Sequence, residues 1–590
     1  MKVYISKLFV FVICLGTVFS CEEYLEETNP NEVSADNFFN NLEDSETVLT
    51  SVYGAMLNTF IVATREDGWR SDMTFPGIRE GAILPSASLF YEHVINEDNS
   101  FINSRWTALY QVIFRANQVI EGLDSMSDDL KSQQRWIEQM GQARFFRGLA
   151  HFYLHSLYNR GEIVIRDAVP GSQAEFSKPL SSSQEVIDFF RKDLMYAYEN
   201  LPNVFPERTR VTSGTAATIL GTSYLYSASD NRADYQEAKK YFEKVINSGV
   251  YSLVQDTDIM FTSAGDYNSE SILELNYTVD QQLEEGIFDE ESFFTRLARY
   301  SAPRELGGAS VNEQFTAAAW IVHAFATEVL DSSDPRNTVI DRETGGLRPR
   351  KVSLRASAMI AMVNDEDTEY YQQPSAPIVV DFGSNQRKYG YFKKYSNHDI
   401  VSNENNTGDI NWKSGKNVIL NRLADVYLMY SECLLLGDDD ISGAIDFINP
   451  IRKRWGLELL DPNVSLVDGT PYTKESLMNH LMYVERPLEL VVEGVSTRII
   501  DLRRWGIAAQ RFQDLSTRSF YLTDYDYFDD DSGTVLTRLN SLVREGISPD
   551  ADANPQIIQE FTAAAQFYSD GYLPIPTVET QNNDQVSNTN

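Results

Sequence analysis

The sequence predicts a mainly α-helical protein, in which helix pairs form a spine beside an irregular, loop-rich lobe with short helices and few strands. Apolar residues recur with the period of an α-helix in several segments, and some of these segments occur in pairs. The stretches between them lack a sustained helical period and are rich in Gly, Pro, Asn, Asp and aromatic residues, which is typical of loops and short strands.

The chain opens with the layout of a secretory signal. Lys2 and Lys7 precede an apolar run at 8–18 that is shorter than a bilayer span, and Ser20 precedes Cys21. A small residue directly before a cysteine resembles the lipobox of bacterial lipoproteins, in which the mature chain begins at a lipid-modified cysteine. We therefore expect lipidation at Cys21. An ordinary signal peptide followed by a chance cysteine is the alternative.

By length alone the chain after the signal could form three or four domains, and one large helical superstructure fits equally well. We predict a signal peptide at 1–20, a lipid-anchored N-terminal tether at 21–40 and a single domain over 41–590. The helix-pair spine is expected at about 41–58, 105–250 and 417–510, and the loop-rich lobe at about 59–104, 251–416 and 511–590.

The spine begins with two long helices. An apolar face in the first is formed by residues at helical spacing, namely Trp106, Leu109, Tyr110, Ile113, Asn117 and Ile120. The segment 141–158 is apolar almost all round, which indicates a buried helix. Two helix pairs follow, at 213–228 with 234–247 and at 418–436 with 441–454.

The helix pairs resemble tetratricopeptide repeats. The spacing of the first repeat helix is matched by Ala217, Leu220, Gly221 and Tyr224, and that of the second by Ala238 and Phe242. The small residues let two helices approach closely, and the aromatic rings fill the groove of the next pair. Because long insertions separate the pairs, a uniform solenoid is not expected.

The net charge limits the classes of ligand. The chain carries a formal charge of −36, and loss of Lys2 and Lys7 with the signal makes it −38. This charge argues against nucleic acid and against polyanions approaching the general surface, and it favours a neutral or cationic ligand. A local basic groove would override the net value. Cys14 leaves with the signal and Cys433 then has no partner, so no disulfide is expected.

Two patterns that suggest metal binding have structural explanations. His151 and His155 are four residues apart on a helix, but Phe152 replaces the glutamate of the zinc-protease motif, so a core histidine pair is expected. The acidic run at 524–531 lacks the glycine position of an EF-hand loop. We expect a solvated acidic loop there, with an irregular structural calcium site as the alternative, and no other metal or cofactor.

The sequence contains no evident catalytic constellation. No nucleophile elbow, Walker motif or dinucleotide fingerprint occurs in its required context. Glu485, Glu489 and Glu493 are spaced four residues apart, and a partly buried ion network is the expected role of this charged block. A glycosidase needs two carboxylates across a cleft, and no spacing singles out such a pair. The motifs therefore give no positive evidence for a catalytic site.

Several blocks, taken together, resemble the SusD/RagB family of outer-membrane lipoproteins. The residues that carry the resemblance are the lipobox, Trp106 to Asn117, Gln142 to Phe152, Asp334-Pro335-Arg336, Arg422 to Glu432, Asn449 to Arg454, Glu485 to Gly494, Arg498 to Gly506 and Leu573 to Glu579. These blocks follow the order of the family and span the chain. The interval that contains Val495-Ser496-Thr497 is longer than usual, and the C-terminal Gln-Asn-x-Gly-Tyr ending is missing.

The resemblance implies a binding protein on the bacterial surface. Family members are not catalysts; they bind glycans or other nutrients and act as the lid of a SusC-like TonB-dependent transporter. Their fold resembles a spine of four tetratricopeptide-like helix pairs beside an irregular ligand lobe. We therefore expect a lipoprotein of the outer membrane that faces the cell exterior and delivers an oligosaccharide or polysaccharide to such a transporter.

The resemblance also directs attention to aromatic and planar polar residues in the lobe. A sugar site needs aromatic planes for the apolar sugar faces and planar polar groups for the hydroxyls. The predicted ligand-binding residues are Trp69, Asp72, Arg79, Phe90, Tyr91 and Trp320. The middle insertion, which tends to contribute in the family, also contains Phe293, Phe294 and Tyr300. For each aromatic residue the alternative is a place in the core.

Three rival functions remain open. The first is a binder of peptides or other non-glycan nutrients in the same transporter role. The second is a cell-envelope glycoside hydrolase, which would release new reducing ends. The third is a tetratricopeptide adaptor, which would bind proteins through its helical groove without affinity for glycans.

Overall fold

The computed structural model describes residues 39–76, 78–79, 82–83, 85–229, 231–280, 293–307, 313–383, 388–406, 413–557 and 560–586. The predicted signal peptide, the lipidation site Cys21 and nearly all of the predicted tether lie outside these residues. Within the described part of the chain, no helix combines the length and apolar character needed to cross a bilayer.

A row of long helices forms the spine. These helices are α1 Leu42–Ala55, α2 Ser100–Asp124, α3 Gln134–Leu157, α4 Ser183–Asn200, α5 Ser213–Ala228, α6 Arg232–Ile246, α7 Leu423–Gly437 and α8 Ile441–Arg454. Each of them packs against the next in chain order, so that two helices distant in sequence, α6 and α7, become neighbours. The predicted mainly α class is confirmed. The identity of the pairs as tetratricopeptide repeats stays a prediction.

Local sequence signals explain where the spine helices begin. Ser182 and Glu185 form a capping box at the start of α4, and Thr212 with Thr215 forms another at the start of α5. Between α5 and α6, a Cβ atom at Gly221 would lie 2.5 Å from the ring of Phe242. The small residue of the repeat-like pattern therefore lets the two helices approach closely.

Shorter helices lie between the spine helices and within the lobe. They are Thr64–Arg70, Pro85–Tyr91, Asp128–Lys131, Gln173–Phe176, Ala298–Ser301, Ala319–Ala326, Leu354–Met359, Ala376–Val379, Lys474–His480, Arg486–Glu489, Thr497–Arg504, Ala508–Thr517, Thr562–Phe567 and Thr577–Asn582. The largest hydrophobic cluster runs through both the spine and the lobe. The helices of both parts therefore share one continuous core.

Small antiparallel sheets organise the lobe. Four two-residue strands form one sheet, in the order Thr74–Phe75, Thr316–Ala317, Tyr391–Phe392 and Ile360–Ala361. The other pairs are Ser271–Leu275 with Val418–Arg422, Ile78–Arg79 with Ala82–Ile83, and Thr338–Ile340 with Leu347–Pro349. The four-stranded sheet fixes the positions of the chain segments that enter and leave its strands.

A long hairpin replaces the solvated loop expected at the acidic run. Strand Phe520–Asp529 pairs with Thr534–Glu545, and Gln556–Ile557 adds a short third strand. Asp524 and Asp526 are exposed whereas Tyr527 is buried, which is the alternation of a half-buried strand. The expectation of a loop was wrong because a bulge near Tyr525 interrupts the two-residue period that would have revealed the strand.

Buried ion pairs join the lobe to the spine. Arg422 donates to Glu270 and Glu489, in both cases over 2.7 Å, and Arg355 lies 3.0 Å from Glu485. These side chains are almost completely buried. The ion network expected around Glu485, Glu489 and Glu493 is therefore present, and it is buried more completely than the sequence indicated.

The two spine histidines have local partners. His151 Nδ1 lies 2.8 Å from the carbonyl oxygen of Arg147, and burial lowers its pKa to about 3. His155 Nε2 lies 2.9 Å from the hydroxyl oxygen of Ser183, and burial lowers its pKa to about 4. Both imidazoles are therefore neutral at pH 7 and take part in helix packing.

Candidate functional site

A cavity lined by aromatic rings lies beside the helix Thr64–Arg70 of the lobe. Its volume is about 260 Å³. The aromatic residues in its wall are Phe60, Phe101, Tyr277, Phe294 and Tyr300, and all five are half-buried. Small-molecule sites are usually concave, with aromatic walls and a few convergent polar groups. This cavity has that composition, and we take it as the candidate site.

Arg65 connects the cavity wall to the core behind it. Its guanidinium carbon lies 4.0 Å from the ring centroid of Tyr300 and 4.8 Å from that of Trp69. Nη1 donates to the side-chain oxygen of Gln314 over 3.0 Å, and Nε donates to Glu66 over 2.9 Å. These contacts fix the guanidinium plane, and through it the ring of Tyr300.

The backbone holds Tyr300 from the other side. The amide of Phe315 donates to the carbonyl oxygen of Tyr300 over 3.1 Å, just before strand Thr316–Ala317 enters the four-stranded sheet. The short helix Ala298–Ser301 contains Tyr300. The sheet therefore determines where this part of the cavity wall lies.

Trp69 and Phe90 lie behind the cavity wall. Their ring centroids are 6.3 Å apart, and Phe90 meets the cavity residue Phe101 edge-on at 5.2 Å. The indole nitrogen of Trp69 donates to the carbonyl oxygen of Gln314 over 2.7 Å. Trp69 is 1% exposed and Phe90 is 3% exposed. Both rings support Phe101 and Arg65 from within the core.

The cavity contains one carboxyl group among its described lining residues, that of Glu66. Burial raises the pKa of Glu66, and the neighbouring Arg65 opposes this rise. Arg65 donates to Glu66 through Nε and Nη2. This carboxyl group is therefore engaged in an ion pair inside the wall.

Asp72 and Trp320 lie together in a different buried cluster. Asp72 accepts hydrogen bonds from Arg498 over 2.7 and 2.8 Å and from Arg511 over 2.7 Å. Burial alone would raise the pKa of Asp72, but the two arginines lower it to about 2. The indole nitrogen of Trp320 donates to the backbone oxygen of Asp72. Arg498 thus pairs with Asp72, whereas its neighbour Asp501 pairs with Arg486 and Arg504.

Tyr91 also lies away from the described cavity lining. The ring of Tyr91 packs 5.0 Å from Phe75 and 5.5 Å from Phe561, and its hydroxyl accepts from the amide of Phe561. Arg79 lies in strand Ile78–Arg79, and its side chain is outside the described part. Tyr91, Asp72 and Trp320 are each at most 4% exposed. The ligand-binding role predicted for all these residues stays a prediction.

Sequence reasoning named two of the cavity residues and missed the others. Phe294 and Tyr300 belong to the middle insertion, in which ligand-binding residues are expected. Arg65, Phe60, Phe101 and Tyr277 were not recognised, because they come from segments far apart in the chain and each has an ordinary local pattern. The available sequence signal is the four-residue spacing of Arg65 and Trp69, which places a cationic and an aromatic group on one face of a short helix.

Two family profiles match the sequence. The profile described as the SusD family matches residues 269–590. The profile described as "Starch-binding associating with outer membrane" matches residues 23–225. Together they cover all the described cavity-lining residues and leave 226–268 unmatched, a stretch that contains α6.

Relatives and solved structures resemble the chain over most of its length. A SusD-like protein of Formosa agariphila is 23% identical over 543 residues, which cover 87% of this chain and 92% of that protein. The crystal structure of a SusD superfamily protein from Bacteroides vulgatus has a TM-score of 0.68 at 21% identity and covers 93% of this chain and 98% of that one.

A solved structure described as a laminarin-binding SusD-like protein has a TM-score of 0.63 at 20% identity, with 93% of this chain and 98% of that chain covered. At such identities the structural likeness establishes the fold. Because the SusD-family profile matches more than half of the sequence, the chain belongs to the SusD family.

Proposed function

We propose that the chain binds an oligosaccharide in the aromatic cavity and delivers it to a SusC-like TonB-dependent transporter. The observation that carries the proposal is the convergence of five half-buried rings on one cavity that also contains Arg65 and Glu66. Aromatic faces accept the apolar faces of sugar rings, and the few polar groups orient the hydroxyls. The relative described as laminarin-binding supports a glycan as the ligand class.

The proposed mechanism is binding without covalent chemistry. Among the described residues that line the cavity, Glu66 alone carries a carboxyl group. This carboxyl group already accepts a hydrogen bond from Arg65. Hydrolysis of a glycosidic bond ordinarily uses two carboxyl groups across the substrate. We therefore expect the ligand to leave the protein unchanged.

The transporter role rests on the family and on the N-terminus. A profile described as associating with the outer membrane matches this chain, and the sequence at Ser20-Cys21 resembles a lipobox. Lipid anchoring beside a transporter raises the local concentration of ligand without requiring tight intrinsic binding. We propose that the protein is anchored by Cys21, faces the exterior and acts as the lid of its transporter.

Affinity electrophoresis tests the binding function. Purified protein is run through native gels that contain different polysaccharides, and the same samples are assayed for released products. We expect at least one glycan to retard the protein without product release. Tyr300→Ala should abolish the retardation, because it removes one wall of the cavity. Phe567→Ala removes a 47% exposed ring outside the cavity and should migrate like the wild type.

The rival functions give different results in the same experiment. Product release would identify a hydrolase and contradict the proposal. If the Tyr300→Ala variant is still retarded, the glycan binds outside this cavity. If no glycan retards the protein, binding is tested next with a panel of peptides. Peptide binding would identify the ligand as a peptide nutrient and contradict the proposed glycan.

Co-purification tests the transporter partner. The tagged full-length protein is extracted from outer membranes in mild detergent, and a TonB-dependent barrel is expected in the same complex. Recovery of the protein without any such barrel would contradict the lid role, while leaving the ligand assay unaffected.

A further inference from the structure

The lobe contains a second cavity, which differs from the aromatic one in its chemistry. Its volume is about 420 Å³, and the two cavities have no described lining residue in common. The described part of its wall contains no phenylalanine, tyrosine or tryptophan. Its charged residues are Asp258, Arg350, Asp367, Glu369, Lys393 and Asp399. The cavity has the size of a small-molecule site, but a polar wall.

Three of these six charged groups lie in ion pairs. The pairs are Asp367 with Arg348 at 2.7 Å, Lys393 with Asp365 at 3.5 Å and Asp399 with Lys416 at 3.6 Å. Arg350, Asp258 and Glu369 form no ion pair with any residue that the structure describes. One guanidinium group and two carboxylates that lack a partner therefore line the same cavity.

Burial places the two signs of charge at different depths. Arg350 is half-buried, and its Nη2 donates to the hydroxyl oxygens of Ser357 and Thr368 over 3.2 and 3.0 Å. The side chain of Lys393 is only 1% exposed, and its Nζ has no hydrogen-bond partner among the described residues. Asp258 and Glu369 are exposed. The positive groups thus belong to the inner wall and the unpaired carboxylates to the entrance.

We infer that this cavity binds a small zwitterion, an amino acid or a dipeptide, with its carboxylate at Arg350 and its ammonium group at Asp258 and Glu369. Lys393 adds positive charge behind the carboxylate. Charge-assisted hydrogen bonds are about twice as strong as neutral ones, so a ligand with both charges uses the unpaired groups best. A neutral sugar would leave these charges unmatched and would find no aromatic face in the described wall. The site is additional to the proposed glycan site and independent of it.

Calorimetric titration tests the inference. The purified protein is first screened against the standard L-amino acids and the L-alanyl dipeptides at millimolar concentration. The tightest binder is then compared with its N-acetylated form, which lacks the ammonium charge, and with its amide, which lacks the carboxylate. We expect each blocked form to bind roughly tenfold more weakly, because each loses a charge-assisted hydrogen bond. The relative affinities in the screen distinguish a free amino acid from a dipeptide.

Variants assign each charge of the ligand to its partner. Arg350→Gln should reduce the difference in affinity between the zwitterion and its amide. The double variant Asp258→Asn/Glu369→Gln should instead reduce the difference between the zwitterion and its N-acetylated form. Because both of these carboxylates are exposed, the double variant keeps the test decisive if Arg350→Gln does not fold. Arg208→Gln and Glu475→Gln remove exposed charges outside the cavity and should bind like the wild type.

The other outcomes separate this inference from the proposed function. The inference is overturned if no amino acid or dipeptide binds, or if the blocked forms bind as tightly as the zwitterion. Zwitterion binding that is lost in Tyr300→Ala but retained in Arg350→Gln would place the ligand in the aromatic cavity and also overturn it. If the zwitterion binds as expected but no glycan retards the protein, the proposed function fails and this inference stands.

Discussion

At the scale of single residues, Arg65 shows why the cavity depends on the shape of a side chain as well as on its charge. Its flat guanidinium group lies against Trp69 and Tyr300 and donates to Gln314 and Glu66 at the same time. A lysine ammonium group is a point charge and cannot make parallel contacts with two rings. The position of Tyr300 therefore depends on the planar group.

Arg65→Lys should weaken ligand binding while leaving the fold intact. We expect a loss of about 1 kcal/mol in binding free energy, because the cation–π contact that holds Tyr300 is lost. Calorimetric titration measures the affinity, and near-ultraviolet circular dichroism reports the changed surroundings of Trp69 and Tyr300. Arg160→Lys, at an arginine whose side chain is 76% exposed, is the control. Unchanged affinity in the Arg65 variant would contradict the positioning role.

Asp72 is expected to contribute to stability. Asp72→Asn leaves the buried guanidinium groups of Arg498 and Arg511 without their carboxylate, and such a loss costs about 3–5 kcal/mol. Urea unfolding measures the change. Asp550→Asn, at an exposed aspartate, should leave the unfolding midpoint unchanged.

The ion pairs of Asp72 with Arg498 and Arg511 make part of the stability depend on pH. The pKa of Asp72 is about 2 in the folded protein, below its ordinary value of 3.8. A lowered folded-state pKa stabilises the protein above the unfolded pKa, and this contribution is lost as pH falls toward the folded value. The difference in unfolding free energy between wild type and Asp72→Asn should therefore shrink by about 1 kcal/mol between pH 5 and pH 3. A constant difference would contradict the assignment.

At the scale of elements, close helix packing depends on Gly221. Alanine normally favours a helix over glycine by about 1 kcal/mol. Gly221→Ala should nevertheless destabilise the protein by about 1–3 kcal/mol, because its Cβ atom would lie 2.5 Å from the ring of Phe242. Thermal unfolding measures the effect. The double variant Gly221→Ala/Phe242→Leu replaces the ring with a smaller side chain and should regain part of the lost stability. If it regains none, the destabilisation by Gly221→Ala comes from a contact other than Phe242.

The elements also show what the sequence can predict. The helix predicted at 213–228 agrees with α5 Ser213–Ala228, because its capping box and small-residue pattern are local signals. The hairpin of Phe520–Asp529 was missed, since its apolar period shifts at a bulge. The cavity residues Phe60, Phe101 and Tyr277 could not be predicted, because only long-range packing brings their segments together.

At the scale of the whole molecule, location depends on the N-terminus. Cys21→Ser should abolish labelling by radioactive palmitate and release the protein from the membrane fraction, because lipid attachment requires the thiol. The control Cys433→Ala alters a buried cysteine of α7 and should keep its label. Proteinase added to intact cells should degrade the wild type. A labelled Cys21→Ser protein, or a fully protected wild type, would contradict the proposed anchor or its orientation.

The buried ion pairs between lobe and spine restrict how the molecule can move. Glu489 contacts Arg422 and Arg454 on the spine side, while Arg355 from the lobe lies 3.6 Å away. Opening the boundary between the two parts would strip buried charges of their partners, at several kcal/mol for each ion. A hinge between lobe and spine is therefore unfavourable. If the protein closes over a transporter, it swings as one rigid body, and the bending must occur outside this boundary.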